Sequence, residues 1–461
     1  MASLRPLDAC FLEVEEADGR ANLAIGAVAV LEGPPPTRSE FAAAVRRRIA
    51  AIPRAQQVVH RVPLDLGLPE WAEAEGFDVE RHIRRVALPD PGDDAELCRQ
   101  IENVMAVRLD PDQPLWQCWV IEALAHGRWA LLMKLHHCMA DGISGARLFE
   151  SLCDPVDRTA ATESPNTIRG APGSAGAAVS AGVVSARWLT GALRSPRKSV
   201  ARIVDLVAGS AVLAGRVLWP SAGSSFNGPL TRQRRYGIAR ASMSEVSAIC
   251  DAFGVTINDV ALAAVSGAVR RLLIRRGEVP GPRTIRSLVP VSYRASGGGA
   301  TTLDNEISLM LPYLPVDVAD PVDRLHTVHS RMSAAKSDGE SGAGHVATEL
   351  ARLVPFAPLA WGMRLMLRFP QHSVAVVTTD VPGPPVPLRL LDRRVIELLP
   401  YVPIAVRLRL GVAVMSYDQR LSFGVTGDLD GVPDLDELCD GIESDLRELR
   451  RAAARHGDAH S

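Results

Sequence analysis

Residues 129–142, WALLMKLHHCMADG, decide the fold of this chain. Their first seven positions are apolar except for Lys134, a run that suits a buried strand, and Ile143 to Leu152 reads as a helix. His136, His137 and Asp141 therefore stand where a strand gives way to a helix, the kind of loop on a rigid scaffold where catalytic groups gather. An imidazole with an ordinary pKa of about 6.5 is mostly neutral at neutral pH, and it can accept a proton from a hydroxyl attacking an acyl carbon. His137 is the candidate general base. Asp141 can hold the loop by a charge-assisted contact, and Gly142 leaves the backbone free to bend.

A lone histidine beside an apolar run is usually a satisfied core residue. Two histidines and an acid have no such packing reason, because buried polar groups cost free energy unless partnered. A metal site is not expected: neighbouring strand residues point to opposite faces, and neither HExxH spacing nor a third ligand cluster accompanies the pair. GxSxG, GxxxxGK[ST] and GxGxxG are also missing, so a serine hydrolase elbow, a phosphate loop and a dinucleotide fingerprint have no support. Cys138 as a nucleophile is less attractive than Cys138 as a buried thiol.

Working outward, Trp116 to Leu124 is a second apolar run separated from Trp129 to Leu135 by Ala125, His126 and Gly127, the punctuation of a strand pair. Ala24 to Leu31, AIGAVAVL, reads as another buried strand. A helix follows with Thr37 and Glu40 at capping-box spacing and Phe41, Val45 and Ile49 on one face. Leu97, Ile101, Val104 and Met105 mark a further helix. In the second half, Ser242 and Glu245 repeat the capping-box spacing, and Asn258 to Arg276 reads as a longer helix. Thr284 to Pro290 and Ile307 to Leu311 read as strands, and Asp320 with Pro321 opens a helix. Residues 407–415 and 421–426 suit a hairpin, and Leu435, Leu438, Ile442 and Leu449 a closing helix. The alternation is that of an α/β protein.

At 461 residues the chain exceeds one ordinary core, so two principal domains are expected. Residues 1–158 form the first and 229–461 the second. Between them, 159–228 begins with a stretch rich in Ser, Thr, Gly, Ala and Pro, and continues with Arg187, Arg194, Arg197, Lys198, Arg202 and Arg216 against the single acid Asp205. That pattern suits a linker followed by crossover helices that either pack on the protein or lie on anionic lipid. A formal net charge of -2 removes any bulk electrostatic case for nucleic acid. The seven cysteines are scattered and odd in number, as expected of reduced thiols. The first twenty residues mix acids and bases, and no apolar run reaches the roughly 18–20 residues of a spanning helix. A cytoplasmic protein that lies on a membrane without crossing it is expected.

HHCMADG resembles the HHxxxDG motif of the bacterial wax ester synthase and diacylglycerol acyltransferase family. Further blocks fall in the family's order: Pro6 to Ala9 (PLDA), Pro114 to Trp116 (PLW), Asn227 to Pro229, Asn258 with Asp259 (ND), Leu288 to Ser292 (LVPVS), Val381 to Pro384 (VPGP), and Ser416 with Tyr417 before Phe423 and Gly424. The histidine motif alone is shared with peptide-condensing and other coenzyme A dependent acyltransferases. The accompanying blocks narrow it, and KLHHCMADG with AIGAVAVLEGP looks most like the triacylglycerol synthase branch.

The resemblance implies two chloramphenicol acetyltransferase-like domains, each a mixed sheet flanked by helices, with a tunnel between them and His137 midway. Long-chain acyl-coenzyme A would enter as co-substrate from one side and diacylglycerol from the other, with no permanently bound cofactor and no metal. A fatty alcohol acceptor, giving wax esters, and a non-catalytic lipid-binding member are the alternative readings. His136, Asp141 and Gly142 map to supporting positions, and Asn258 and Asp259 to a possible support of the site. Peripheral contact with the inner face of the membrane or with lipid droplets is expected. One departure is visible, Asp380 where the family often has Asn before VPGP, and the Ser296 to Gly299 loop is unusually permissive.

Overall fold

The computed structural model describes residues 2–50, 52–155, 223–292, 307–337, 356–368 and 371–458. The expected linker up to residue 222, the basic stretch within it and the 296–299 loop lie outside the described residues. In chain order the first half supplies β1 (Ala2–Ser3), α1 (Pro6–Ala17), β2 (Ala24–Leu31), α2 (Arg38–Ile49), β3 (Gln57–His60), β4 (Glu70–Glu73), β5 (Ile83–Ala87), α3 (Asp94–Ala106), β6 (Trp116–Leu124), β7 (Arg128–His136), α4 (Gly142–Ser151) and β8 (Asp154–Pro155). The second supplies β9 (Arg234–Ser242), α5 (Met243–Phe253), α6 (Ile257–Arg275), β10 (Ser287–Ser292), β11 (Ile307–Met310), α7 (Pro321–Ser337), α8 (Phe356–Leu367), β12 (Val376–Pro382), β13 (Leu388–Leu390), β14 (Arg393–Tyr401), β15 (Leu410–Tyr417), β16 (Arg420–Asp428) and α9 (Leu435–Asp458).

These strands build two large mixed sheets and a small one, β1-β4-β3. In the first sheet, β2 pairs antiparallel with β7 along its whole length, from Ala24 opposite His136 to Leu31 opposite Trp129. The expected β6–β7 pair forms, and its reversal runs through His126 and Gly127, both at φ 64°. Almost every side chain of β7 is buried, as its long apolar run requires of a central strand covered on both faces. The predicted capping box of α2 is present: the Thr37 hydroxyl accepts from the Glu40 amide, and the Glu40 carboxylate accepts from the Thr37 amide. Lys134, the one charged residue of the run, is buried and donates to the Val104 carbonyl at 2.7 Å, satisfying the C-terminal end of α3. Burial pushes its ammonium down to about 8.

The second sheet has the order β11-β10-β12-β15-β16-β9, and helices α6 and α9 pack together on it. Val260, Ala264, Ala268 and Leu272 are buried on α6, as their spacing predicts. The anticipated hairpin is β15 and β16. At the start of α5 the local pattern is only half obeyed. Ser242 occupies the N-cap position, but its hydroxyl lies 2.7 Å from that of Ser244, and Glu245 pairs instead with Arg450 at 2.5 Å.

One stretch of the expected C-terminal domain is built into the first sheet. β14 pairs antiparallel with the free edge of β2, and β13 continues that edge outward to β8. Without this addition β2 would present an unpaired row of amides and carbonyls. To reach it, β14 crosses over the β15–β16 hairpin, and several sequence blocks prove to be fittings for the crossing. A side chain on Gly424 would lie 1.7 Å from the Pro400 carbonyl oxygen, and one on Gly383 would lie 1.9 Å from that of Ser416. The Tyr417 hydroxyl accepts from the Leu388 amide at 2.7 Å and donates to the Val395 carbonyl at 3.2 Å, tying β13 and β14 to the hairpin. Across the junction, Arg240 of β9 binds Glu397 of β14 at 2.6 Å and Asp94 of α3 at 2.6 Å.

Gly424→Ala should therefore destabilise the protein by an amount at the upper end of about 1–3 kcal/mol, because backbone must yield to the new methyl. Gly19→Ala, where a Cβ meets nothing within 4 Å, should cost nothing. Urea denaturation of the two variants checks the contrast, and equal midpoints would contradict it.

Candidate active site

The site is assembled where β7 ends. His136 is the last strand residue, and the Met139 amide bonds back to its carbonyl at 2.9 Å, closing a turn through His137 and Cys138. The His137 amide donates to the Leu23 carbonyl at 3.0 Å, which holds the turn against the residue preceding β2. Because the chain has already left the strand, the two histidines do not point to opposite faces as strand alternation would have them. Both meet α1. Phe11 stacks on the His137 ring, with centroids 4.0 Å apart and planes 20° from parallel. Glu15, one helical turn later, lies 2.5 Å from His136 Nε2. A spacing of four puts the two side chains on one helix face.

The hydrogen bonds assign the His136 tautomer. Nδ1 accepts from the Cys138 amide at 3.1 Å, so Nε2 carries the proton and donates it to Glu15. Burial favours a protonated Glu15, but the hydrogen bond from the His136 N–H, its electrostatic pull and that of the Arg108 guanidinium outweigh it, and the carboxyl lies below its ordinary range. Arg108 reaches Glu15 at 3.3 Å and donates to the carbonyls of Glu15, Asp18 and Ala21, fastening the end of α1. Both histidine-facing residues of α1 are thus fixed.

His137 is half-buried, so its ring is not sealed in the core. Its Nδ1 is enclosed and makes no hydrogen bond among the described residues. That leaves Nε2 as the nitrogen free to meet a substrate. Burial, reinforced by His136 and opposed by Asp141, pushes the imidazole down to about 4. The ring is a neutral proton acceptor throughout the physiological range.

Asp141 is buried and acts as the N-cap of α4, its Oδ1 accepting from the Ser144 amide at 2.6 Å. Gly142 has an ordinary helical backbone rather than the sharp bend anticipated. What its missing side chain permits is contact across the sheets: a Cβ there would lie 2.9 Å from Val381 Cγ2 of β12. The VPGP block is in this way brought onto the histidine loop. Burial pushes the Cys138 thiol well above its ordinary value, which removes the thiolate a nucleophile needs.

Asn258 and Asp259 lie in the first turn of α6. Asp259 completes a capping box with Thr256 and lies 2.8 Å from His329 Nδ1, so it starts the helix. Among the described residues no hydrogen bond or ion pair joins Asn258 or Asp259 to the histidine loop. Asp380 of β12 makes neither kind of contact among the described residues, and burial pushes its carboxyl up to about 6. No three His, Cys, Asp or Glu side chains converge as a metal would require, again among the described residues. Phe11, Glu15 and Arg108 were not identified from sequence, and Val381 was noted only as part of the VPGP block. The signal for the first two was the spacing of four behind PLDA.

Two helix-flanked mixed sheets with a neutral histidine at the end of a central strand form a scaffold that suits acyl transfer assisted by a histidine base. The family model described as the wax ester synthase/diacylglycerol acyltransferase catalytic domain matches residues 4–261, and that of the family's C-terminal domain matches 303–450. The chain belongs to the wax ester synthase/diacylglycerol acyltransferase family and is an acyltransferase. It is 43% identical over 450 residues to the probable diacylglycerol O-acyltransferase tgs1 of Mycobacterium tuberculosis strain H37Rv, covering 97% of this chain and 96% of the relative. Among solved structures, the wax ester synthase/diacylglycerol acyltransferase from Marinobacter aquaeolei VT8 superposes with a TM-score of 0.69 at 24% identity, covering 98% of this chain and 100% of that one. A mutant starter condensation domain of rhizomide synthetase in complex with C8-CoA gives 0.59 at 13% identity, over 98% and 95% of the two chains. These two likenesses establish the fold.

Glu15→Ala should leave His136 Nε2–H without its acceptor and lower kcat by about 10- to 100-fold with little change in KM, since loop placement rather than binding is lost. Steady-state kinetics decide this, and a wild-type kcat would refute it. The pH–rate profile should be flat through pH 6.5: a depressed imidazole pKa means the base is present above about 4 and lost only as pH falls through that value. An acid limb centred near pH 6.5, measured where the protein stays folded, would contradict the burial.

Proposed function

We propose that the chain is a diacylglycerol O-acyltransferase, transferring a long-chain acyl group from acyl-coenzyme A to the free hydroxyl of diacylglycerol. The observation that carries the reading is the half-buried, neutral His137, held by Phe11 at the head of a loop whose sequence is the family's motif. In the reaction we envisage, Nε2 takes the hydroxyl proton as the oxygen attacks the thioester carbon. The tetrahedral intermediate collapses with cleavage of the carbon–sulfur bond, the proton passes to the departing thiolate, and triacylglycerol and coenzyme A leave. General-base assistance of this kind contributes about 10²- to 10⁴-fold. No resident cofactor enters the scheme, and acyl-coenzyme A is consumed as a substrate.

His136 and Asp141 act on this chemistry by position, one through Glu15 and the other through the start of α4. Gly142 makes room for Val381. We assign Asn258 the role of a polar contributor at the meeting of the sheets, with Asp259 holding the helix turn on which it sits. The substrates approach from opposite ends of a passage between the sheets. Diacylglycerol resides in lipid, so peripheral association with the inner face of the membrane or with lipid droplets belongs to the same reading. Among the described residues no single helix is long and apolar enough to cross a membrane.

Purified protein given labelled acyl-coenzyme A and an equimolar mixture of diacylglycerol and hexadecanol should form triacylglycerol in excess of wax ester. His137→Ala should reduce both products by at least about 10²-fold. Wax ester as the main product would move the acceptor to fatty alcohols, and undiminished synthesis by His137→Ala would overturn the mechanism.

A further inference from the structure

We propose that the outer face of helix α8, residues 356–367, is the surface by which this protein seats itself on an anionic phospholipid membrane; the inference rests on the lipid acceptor argued above. The helix has two unlike faces. Phe356 and Ala360 are buried against Ala9 of α1, and Arg364 continues that face by reaching Glu13 at 2.6 Å and Asp65 at 2.7 Å. One position further round, Trp361 and Leu365 stand 60% and 56% exposed. Because Arg364 grips Asp65, it brings the turn carrying Leu66, itself 70% exposed, alongside the helix.

Three large apolar side chains gathered on one edge are not the scattered exposure that any soluble surface shows. Tryptophan with leucine one turn away is the pair that enters the boundary between headgroups and acyl chains. Arg368, at the end of the same outer stripe, is exposed and makes no ion pair among the described residues, so its guanidinium can take a lipid phosphate. The buried carboxylate of Glu13, by contrast, is already matched by Arg61 and Arg364, so the patch carries no uncompensated acid from that residue to repel such a surface.

The location joins this face to the chemistry. Helix α8 lies on α1, and α1 bears Phe11 and Glu15 against the two histidines. A protein seated by α8 holds the histidine loop one helix away from the lipid.

The test is flotation of the full-length protein with vesicles of phosphatidylcholine containing 30% phosphatidylglycerol, beside vesicles of phosphatidylcholine alone. The same preparations are assayed with acyl-coenzyme A and a short-chain, water-soluble alcohol. The parent should float, more with phosphatidylglycerol. Trp361→Ser/Leu365→Ser should reduce the bound fraction at least tenfold while keeping its activity on the soluble alcohol, and Arg368→Ser should erase the preference for phosphatidylglycerol. A double variant that floats like the parent overturns the assignment to α8 and leaves membrane association standing. A parent that floats with neither vesicle overturns both. A parent that dimerises on sizing through the same two residues, without binding vesicles, assigns the face to a second copy of the chain and overturns the proposal.

Discussion

The proposed base depends on one constraint, that the His137 imidazole be kept uncharged while remaining open to a substrate. Burial does the first, since an imidazolium would be stranded in low dielectric, and the stacked Phe11 ring supplies much of that burial from one side. Partial exposure does the second. The two demands conflict, and the conflict is settled by enclosing Nδ1 while leaving the other end of the ring open. His136 resolves a different problem. It gives the loop a rigid anchor, because each of its ring nitrogens has a definite partner and its tautomer is therefore set.

The larger architecture serves the same end. A central strand with no free edge is a firm base for a catalytic loop, and β7 owes that firmness to β2 on one side and β6 on the other. β2 is firm in turn because β14 closes its far edge. The strand that does so belongs by sequence to the second half, which makes the two sheets mutually dependent. Gly383, Gly424 and Tyr417 look like candidates for chemistry when met as motif residues, but their surroundings are those of a tight crossing: carbonyl oxygens where a Cβ would be, and a phenol bonded to two backbone groups.

Much of this was legible beforehand. β2, β6, β7, the capping box of α2, the start of α6 and the closing helix all announced themselves through apolar spacing and turn residues, and the histidine loop was found through its polar cluster at a strand end. What escaped were elements whose local pattern is diluted. β9 carries Arg234 and Arg240 among its apolar residues, and it becomes a strand by pairing along its length with β16, while Asp428 and Glu397 neutralise the two arginines. β14 reads as a mixed segment because its burial comes from crossing another sheet. Phe11 and Glu15 escaped because they act across the fold from a helix noted only for its first four letters. The expected capping box at Ser242 does not close: its hydroxyl turns to Ser244 and Glu245 pairs with Arg450.

Gly142 and Val381 almost touch, one on the catalytic loop and the other on a strand of the opposite sheet. Neither surface can be redrawn alone: a bulkier residue on either side displaces the loop, and a smaller one opens a gap beside it. Halves taken from two different relatives would have to share a sheet through β14 and would still meet at this point with mismatched shapes. Inheritance of this enzyme is therefore tied to the whole chain, and recombination within it is penalised beside the histidine loop.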